Sequence, residues 1–343
     1  MSECKDILVT GGCGFIGSHF VRQALSRWPG ARIVNFDLLT YAGNPTNLAD
    51  CQDNPQYHFV HGDIRDPEAV LAVMKGCDSV VHFAAESHVD RSILASDDFM
   101  TTNVMGTHVL LEAARKVGIK RFLFIGTDEV YGSLPTPDVA DENHCIQPNS
   151  PYSVSKASAD LLVRSYHVTH GFPALITRTC NNFGPYQFPE KLLPLFVTNL
   201  LDGRKVPLYG DGLNVRDWIF VEDNVEALCC VFEEGCIGEA YNIAGDTPCT
   251  NRQITDTLLA KLSKDESHIE YVKDRPGHDR RYAVDDAKIR RELGWKPTRS
   301  FDEAMDATVQ WYRDNRPWWE AIKSGAYREY YETQYGGISI SSK

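Results

Sequence analysis

A short apolar segment near the start of the chain, Ile7-Leu8-Val9, runs directly into Gly11, Gly14 and Gly17. Apolar residues at helical spacing follow the glycines, which predicts the order strand, tight turn, helix. Glycine permits such a turn and lets the backbone approach a pyrophosphate at the positive N-terminal end of a helix. The start of the chain therefore predicts a dinucleotide site on an open α/β sheet.

The second predicted strand, 32–36, ends in Asp37, which lies 20 residues after Gly17. A carboxylate at about this distance accepts hydrogen bonds from the adenosine ribose and repels a 2′-phosphate. No Arg or Lys follows it closely, so NAD is favoured over NADP. The third strand, 57–60, leads to Asp63, which is placed either to meet the adenine end or to form a turn.

A fourth strand, 79–83, ends in a segment with small side chains, Ala84 and Ala85. These would let a cofactor pass close to the backbone, and Ser87 and His88 follow where a substrate could lie. His82, inside the strand, is predicted to pack in the core.

Three polar residues, Thr127, Asp128 and Glu129, follow the fifth predicted strand, 121–125. They lie where that strand would end, at the ligand-facing edge of an open α/β sheet. A hydroxyl and two acids at this edge can act together on one small substrate. Such residues are also common in solvated turns, so the segment gains weight only from its neighbours.

The segment that begins at Ser150 and Pro151 is typical of a helix start, and it places Tyr152 and Lys156 on one helical face. A Lys ammonium near a phenol favours the phenolate, a base that works near neutral pH. With 15 Tyr and 14 Lys in 343 residues, chance alone supplies about 0.6 such pairs. The prediction of a catalytic pair therefore depends on its position after the glycine turn and the polar segment.

Composition excludes several classes of protein. The net charge of −12 argues against a nucleic-acid partner, which would need a basic face. No apolar run approaches the ~20 residues of a membrane span, and the N-terminus lacks the basic region of a signal peptide. Ten cysteines without a Cys-x-x-Cys pair favour reduced thiols in a cytoplasmic protein, with no metal site.

Together these segments resemble a known family. The glycine turn and the Tyr152/Lys156 pair are similar to motifs of the extended short-chain dehydrogenases/reductases. Within that superfamily the chain resembles the dTDP-glucose 4,6-dehydratases from its first strand to about residue 320. The segments that carry this likeness are 83–92, 127–129, 181–192, 210–218 and 274–279. Related epimerases lack both acids of segment 127–129, and related decarboxylases keep only the Glu.

The resemblance implies conversion of dTDP-glucose to dTDP-4-dehydro-6-deoxy-glucose with loss of water. Tyr152, beside Lys156, would remove the proton of the C4 hydroxyl, and Thr127 would hydrogen-bond the C4 oxygen. Glu129 would remove the C5 proton and later return it, while Asp128 protonates the departing C6 hydroxyl. Because the reaction has no net redox change, NAD is expected to stay bound throughout.

The resemblance also implies two sets of binding residues. The expected cofactor contacts are Gly11, Gly14, Phe15, Ile16, Gly17, Asp37, Leu38, Thr40, Asp63, Ile64, Phe83, Ala84, Ala85, Ser87, Thr102, Tyr152, Lys156 and Asn182. The expected substrate contacts are Ser87, His88, Thr127, Asn181, Glu190, Lys191, Leu192, Pro207, Tyr209, Arg216, Asn251, Arg275 and His278. Arginine suits a diphosphate because its fork makes bidentate contacts, although Arg275 could equally form a surface salt bridge.

The predicted fold is α/β: a Rossmann-type doubly wound parallel sheet with a second, smaller substrate-binding α/β lobe. We predict an NAD-binding domain at 1–179, to which segment 217–246 returns as two strands and a helix. The rest of 180–330 would bind the sugar nucleotide, and 331–343 would form a flexible tail. The family's assembly implies a homodimer through helices near 97–117 and 152–170. Trp311, Trp318 and Trp319 are expected to pack rather than to bind.

Three positions depart from the family pattern: Cys13 replaces an alanine and would add a thiol near the pyrophosphate, Gly126 replaces a serine and Phe183 a tyrosine. None removes a catalytic group. Two alternatives remain, a 4,6-dehydratase of a UDP-, GDP- or CDP-hexose and a nonenzymatic NAD-sensing protein of the same fold. The second would not need the five catalytic residues together.

Overall fold

The computed structural model describes residues 6–324, so the predicted tail at 331–343 lies outside the described residues. The strands are β1 (Asp6–Thr10), β2 (Arg32–Asp37), β3 (Tyr57–His61), β4 (Ser79–His82), β5 (Arg121–Thr127), β6 (Ala174–Thr179), β7 (Asn181–Phe183), β8 (Val206–Tyr209), β9 (Val215–Phe220), β10 (Ala240–Ile243), β11 (Pro248–Thr250) and β12 (Ile269–Val272). The helices are α1 (Phe15–Arg27), α2 (Pro67–Met74), α3 (Val89–Leu94), α4 (Asp97–Phe99), α5 (Thr107–Val117), α6 (Pro151–His170), α7 (Leu192–Leu201), α8 (Val221–Glu234), α9 (Asn251–Lys261), α10 (Ala287–Leu293), α11 (Phe301–Asp314) and α12 (Arg316–Ile322), with a π-helical turn between α4 and α5.

A seven-stranded parallel sheet forms the centre of the molecule, in the order β3-β2-β1-β4-β5-β6-β10. Its inner strands are short apolar runs buried on both faces, as parallel strands covered by helices must be. The chain order reverses between β1 and β4, and ligands bind at such a switch point, outside the carboxyl ends of the strands. This arrangement confirms the predicted doubly wound fold.

Helices cover the two faces of the large sheet and form a separate core on each. Phe20 of α1 and Phe232 of α8 lie in the core of one face, and Leu110 of α5 and Val163 of α6 lie in that of the other. All four side chains are fully buried. Since α5 and α6 share one face, the helix that carries Tyr152 and Lys156 is packed directly against the sheet whose edge forms the site.

A smaller α/β part follows, built on a three-stranded sheet, β11-β9-β7, and a two-stranded sheet, β12-β8. Helices α7, α9, α11 and α12 pack around a third core, which includes Trp319, 1% exposed. Trp311 and Trp318 contact each other and this core, with ring centroids 5.0 Å apart. The three tryptophans therefore pack together, as predicted.

Of the two strands expected to return to the first domain, only β10 joins the large sheet, beside β6, and α8 packs against α1. Strand β9 instead pairs with β7 and β11 in the small sheet, so the expectation is wrong for 218–221. The reason is its alternating side chains: Trp218 and Phe220 fill the third core, whereas Ile219 fills a core of the large sheet. The boundaries of the two predicted domains stay a prediction.

Within residues 6–324, no helix has both the length and the apolar character that a membrane crossing requires. In the same part of the chain, no three His, Cys, Asp or Glu side chains are grouped so as to hold a metal ion.

Candidate active site

A cavity of about 480 Å³ opens at the carboxyl ends of the central strands. Every residue expected to contact the cofactor lines it, and so do the five expected catalytic residues. Most of these residues lie at or after the carboxyl ends of β1, β2, β3, β4 and β5 or on α6, where the sheet topology brings separate sequence segments together. Thr102 lies in the π-helical turn and Asn182 on β7.

The glycine turn presents bare backbone to this cavity. Gly11 has a φ of +72°, and a Cβ added there would lie 2.6 Å from the backbone nitrogen of Ala84. A Cβ on Gly17 would lie 2.3 Å from the Gly11 carbonyl oxygen. Helix α1 begins at Phe15, so its free N–H groups point toward the same space. A cradle that excludes side chains and ends in a helix N-terminus fits the pyrophosphate of a dinucleotide.

The carboxylate of Asp37 is fixed at the end of β2 by two backbone donors, Cys13 N at 2.9 Å and Leu39 N at 2.8 Å. It lines the cavity, as a ribose contact requires. The structure does not place Cys13, whose thiol was expected near the pyrophosphate, in the wall of the cavity. The thiol is fully buried beside Asn35, whose Nδ2 donates to Sγ at 3.3 Å, and burial raises its pKa to about 12.

The polar segment after β5 forms one 3-10 turn, Asp128–Tyr131, which directs both acids into the site. The Thr127 hydroxyl oxygen caps this turn by accepting from Glu129 N at 3.3 Å. The same hydroxyl donates to Asp128 Oδ1 at 3.4 Å. Thr127 also lowers the pKa of the Tyr152 phenol, against the larger opposite effect of burial. Thr127 thus contacts both predicted acids and acts on the predicted phenol base.

The two acids differ in their electrostatic surroundings. Burial raises the pKa of Asp128 well above its ordinary range, the Glu129 charge adds to this, and the cation that opposes it is Arg216. Burial also raises the pKa of Glu129, but Arg275, Arg216 and Lys191 all oppose that rise. In the described part of the chain Asp128 Oδ2 has no hydrogen-bond partner. Asp128 is therefore suited to hold a proton and Glu129 to receive one.

Helix α6 begins where predicted, with Ser150 capping it, and it buries Lys156 beside β5. Lys156 Nζ donates to the Ile125 carbonyl at 2.7 Å, and burial lowers the Lys156 pKa to about 8. Burial raises the pKa of Tyr152, and Glu129 raises it further. Lys156 therefore donates to the strand carbonyl, and its expected lowering of the Tyr152 pKa stays a prediction.

The expected substrate contacts separate into two groups. Five line the cavity: Ser87, Thr127, Asn181, Glu190 and Lys191. The structure does not place the other eight in that wall: His88, Leu192, Pro207, Tyr209, Arg216, Asn251, Arg275 and His278.

Several members of the second group nevertheless meet at a buried acid, Asp90. Its carboxylate accepts from the Tyr209 hydroxyl at 3.1 Å and from Arg275 Nη1 at 3.2 Å, and the Tyr209 and His278 rings are 6.2 Å apart. Arg275 is not a surface residue, since its side chain is 18% exposed, and its Nε has no partner among the described residues. His88, Leu192 and Asn251 occupy the first turns of helices α3, α7 and α9 or the positions that cap them.

Sequence reasoning missed residues that contact the expected ones. Arg91 pairs with Glu190 at 3.0 Å and lies over the Tyr41 ring at 4.0 Å. Tyr282 lies 3.5 Å from Glu129. Tyr282 lies three residues after segment 274–279, which resembles the family. This nearness was the one feature of the sequence that could have indicated Tyr282.

Comparison with known proteins agrees with this geometry. A model of the family described as GDP-mannose 4,6 dehydratase matches residues 8–308. The dTDP-glucose 4,6-dehydratase of Streptomyces niveus is 50% identical over 93% of this chain and 96% of its own length. A dTDP-glucose 4,6-dehydratase of Escherichia coli K12 is 47% identical over 96% of this chain and 99% of its own. The chain belongs to the dTDP-glucose 4,6-dehydratase family.

A solved member of the dTDP-glucose 4,6-dehydratase family has nearly the same fold. The DesIV enzyme of Streptomyces venezuelae, crystallised with NAD and dTDP, superposes with a TM-score of 0.91 and 51% identity. The match covers 93% of this chain and 100% of that one. The expected family and fold are thereby confirmed over nearly the whole chain.

Proposed function

We propose that this protein is an NAD-dependent hydro-lyase that converts dTDP-glucose to dTDP-4-dehydro-6-deoxy-glucose and water. One observation carries the proposal: two acids, the buried Asp128 and the half-buried Glu129, lie beside Tyr152 in a cavity whose other wall is a dinucleotide cradle. The relatives at about 50% identity that are dTDP-glucose 4,6-dehydratases support the choice of substrate.

The residues around the cavity fit NAD. Gly11 and Gly17 would face its pyrophosphate, and Asp37 its adenosine ribose. Asn182 Oδ1 is buried at the other end without a partner among the described residues, and it would face the nicotinamide. When bound, NAD supplies a hydride acceptor for C4 of the sugar and a hydride donor for C6.

The side chains of the site move the protons. As its phenolate, Tyr152 takes the proton of the C4 hydroxyl, and Thr127 holds the C4 oxygen by a hydrogen bond. The C4 ketone acidifies the C5 proton, which Glu129 removes. Asp128 gives its proton to the C6 hydroxyl as the C5–C6 double bond forms, so that water leaves. Glu129 then returns a proton to C5.

The nucleotide part of the substrate would lie beside the second group of contacts. Arg275 and Arg216 are the buried cations available to a diphosphate, with Arg216 5% exposed. Tyr209, His278 and Asn251 would contact the nucleoside. These assignments follow the family likeness, and the free Nε of Arg275 supports them.

We also propose that the protein acts as a cytoplasmic homodimer. Helix α6 and the π-helical turn before α5 leave large apolar side chains exposed, among them Met105 at 55%, Leu161 at 49% and Val168 at 67%. A second copy would cover these positions through a four-helix bundle. Light scattering that gave a monomer of about 38.5 kDa at micromolar concentration would contradict the dimer.

Incubation of the purified protein with glucose linked to dTDP, UDP, GDP or CDP tests the function. We expect a 4-keto-6-deoxy product from the dTDP sugar, detected by mass spectrometry as the loss of one water. A faster reaction with another nucleotide would move the enzyme to that substrate. No product from any of the four would overturn the dehydratase proposal.

A further inference from the structure

Glu129 ends a buried chain of hydrogen-bonding groups that the proposed reaction has not used. The Tyr282 hydroxyl lies 2.7 Å from Asp279 Oδ2 and 3.5 Å from Glu129 Oε2. The other oxygen of that carboxylate, Asp279 Oδ1, accepts from Asn149 Nδ2 at 2.6 Å. Asp279 and Tyr282 are each 4% exposed, so the protein itself determines how these groups pair.

A tyrosine hydroxyl has one proton and can donate to one of two carboxylates at a time. The shorter distance assigns the proton of Tyr282 to Asp279. The lone pairs of the Tyr282 oxygen then face Glu129, and a hydrogen bond between these two forms only when Glu129 is protonated. Asp279 thus withholds from Glu129 a donor that would stabilise its charged form.

We propose that Asp279 is a positioning residue for the elimination: it fixes the direction of the Tyr282 hydroxyl and so keeps Glu129 a strong base. The inference rests on the proposed function, since it concerns removal of the C5 proton. As the C5–H bond breaks and its electrons form the C5–C6 double bond, the new O–H of Glu129 donates to the Tyr282 oxygen. Return of the proton to C5 releases that hydrogen bond.

Charged groups surround Glu129, and they set its basicity together with the direction of the Tyr282 hydroxyl. Burial raises its pKa, and Arg275, Arg216 and Lys191 oppose that effect. Asp279 raises the pKa of Glu129 further through its own charge. The remaining titratable groups that face this site are Asp128 on the same turn and Tyr152 on α6. Removal of the Asp279 charge would therefore lower the pKa of Glu129 through both the charge and the hydroxyl direction.

The Asp279→Asn variant tests the inference with little change of size. Its amide oxygen still accepts from Asn149, so its amide nitrogen faces Tyr282 and the hydroxyl proton turns to Glu129. We expect the acid limb of the pH profile for product formation to move down by about one unit. The maximal rate should fall about three- to tenfold. Formation of enzyme-bound NADH, which does not use Glu129, should be unchanged.

The Tyr282→Phe variant tests the direction of the hydroxyl independently, should Asp279→Asn fail to fold. This variant lacks the Tyr282 oxygen, which accepts a hydrogen bond from protonated Glu129. Because the protonated form then loses a stabilising contact, we expect the acid limb of the pH profile to move down. An upward shift would mean that Tyr282 donates to the Glu129 carboxylate, which would overturn the inference. In the Tyr282→Phe background, Asp279→Asn should add at most a small shift from its charge, and a full additional unit would contradict action through Tyr282.

A matched control is Glu112→Gln, which changes another carboxylate that accepts a tyrosine hydroxyl, that of Tyr166 at 2.7 Å, away from the site. Its pH profile should equal that of the unmodified protein. If the unmodified protein dehydrates dTDP-glucose but Asp279→Asn leaves the acid limb unmoved, the inference alone is wrong. If the unmodified protein forms no dehydrated sugar, the proposed function is wrong and the inference falls with it.

Discussion

The cofactor side and the substrate side of the site are built in different ways. On the cofactor side, backbone turns at the ends of β1, β2 and β4 form much of the wall, and the glycine turn, Asp37, Ala84 and Ala85 all lie within the first 85 positions. On the substrate side, Asp90 meets Arg275 across 185 positions and Tyr209 across 119. Glu129 meets Tyr282 across 153. The cofactor side is therefore formed mainly by local backbone geometry, and the substrate side by side chains that are far apart in the sequence.

This difference explains which parts of the site a sequence can reveal. A tight turn with Gly at a positive φ depends on neighbouring residues, so the glycine spacing alone predicts it. A carboxylate that receives a tyrosine and an arginine depends on which segments the tertiary fold brings together. Variants that affect one side only should therefore have separable effects.

Substitution of Asp128, on the substrate side of the site, should have the largest effect. Asp128→Asn keeps the size of the side chain but cannot donate a proton to the C6 hydroxyl. Product formation should slow by about 10²–10⁴-fold, the usual contribution of a general acid. Bound NADH should still form, because C4 oxidation uses Tyr152, Lys156 and Thr127 but neither acid. Rapid mixing with dTDP-glucose, followed at the NADH absorbance and by mass spectrometry, separates the two steps.

Glu129→Gln provides the comparison for that experiment, since it should also slow exchange of the C5 hydrogen with solvent. Tyr152→Phe should instead suppress the NADH signal. An Asp128→Asn protein that dehydrates at the unmodified rate would show that the acid is a different group.

The cofactor side should be sensitive to a single methyl group. In Gly11→Ala, the new Cβ would lie 2.6 Å from the Ala84 nitrogen, at a φ that L-residues disfavour. The strain should weaken NAD binding by about a hundredfold. Analysis of the nicotinamide released on denaturation measures this, because the unmodified protein is expected to retain NAD through purification.

The matched control is Gly30→Ala, where a Cβ would have nothing within 4 Å. It should retain NAD like the unmodified protein. If Gly11→Ala also retains it, the turn moves more easily than its close contact with β4 suggests.

The same contrast accounts for how far sequence reasoning reached. The large sheet, the glycine turn, Asp37 and the start of α6 were all predicted, since each depends on apolar runs, spacing or capping residues within one segment. Strand β9 was placed wrongly because its pattern does not tell which of two cores receives its alternating side chains. Lys156 was expected to act on Tyr152, but its partner is the Ile125 carbonyl, a backbone group that helical spacing cannot identify.

The substrate side should respond to the geometry of one cation. Arg275→Lys keeps the charge but loses the planar fork that pairs with Asp90 and leaves Nε for a ligand. The KM for dTDP-glucose should rise about tenfold, the equivalent of one weakened charged hydrogen bond. NAD content should not change. Steady-state kinetics and NAD analysis of the same sample measure both quantities. A raised KM together with a lower NAD content would contradict the separation of the two sides.

The smallest expected effect belongs to His82, which supports the cofactor side from within β4. It is 1% exposed, as its predicted core position requires, with Nδ1 2.7 Å from Thr10 Oγ1 and Nε2 3.0 Å from Thr107 Oγ1. The Thr107 hydroxyl donates to the Asn103 carbonyl at 2.6 Å, so it can only accept from Nε2–H. Nδ1 then carries no proton and accepts from Thr10, which leaves the ring neutral.

Burial lowers the pKa of folded His82 to about 3, whereas an unfolded histidine has an ordinary pKa of about 6.5. Below the higher value the unfolded chain binds a proton that the folded one does not, so stability is full above about pH 6.5 and is lost as the pH falls. Between pH 7.5 and 6 this loss is about 0.8 kcal/mol. Thermal melts should therefore show a smaller decrease over this range for His82→Gln than for the unmodified protein. His58→Gln, at an exposed position of edge strand β3, should keep the unmodified dependence. Equal dependence in all three proteins would mean that protonation of His82 does not limit the stability of the cofactor side.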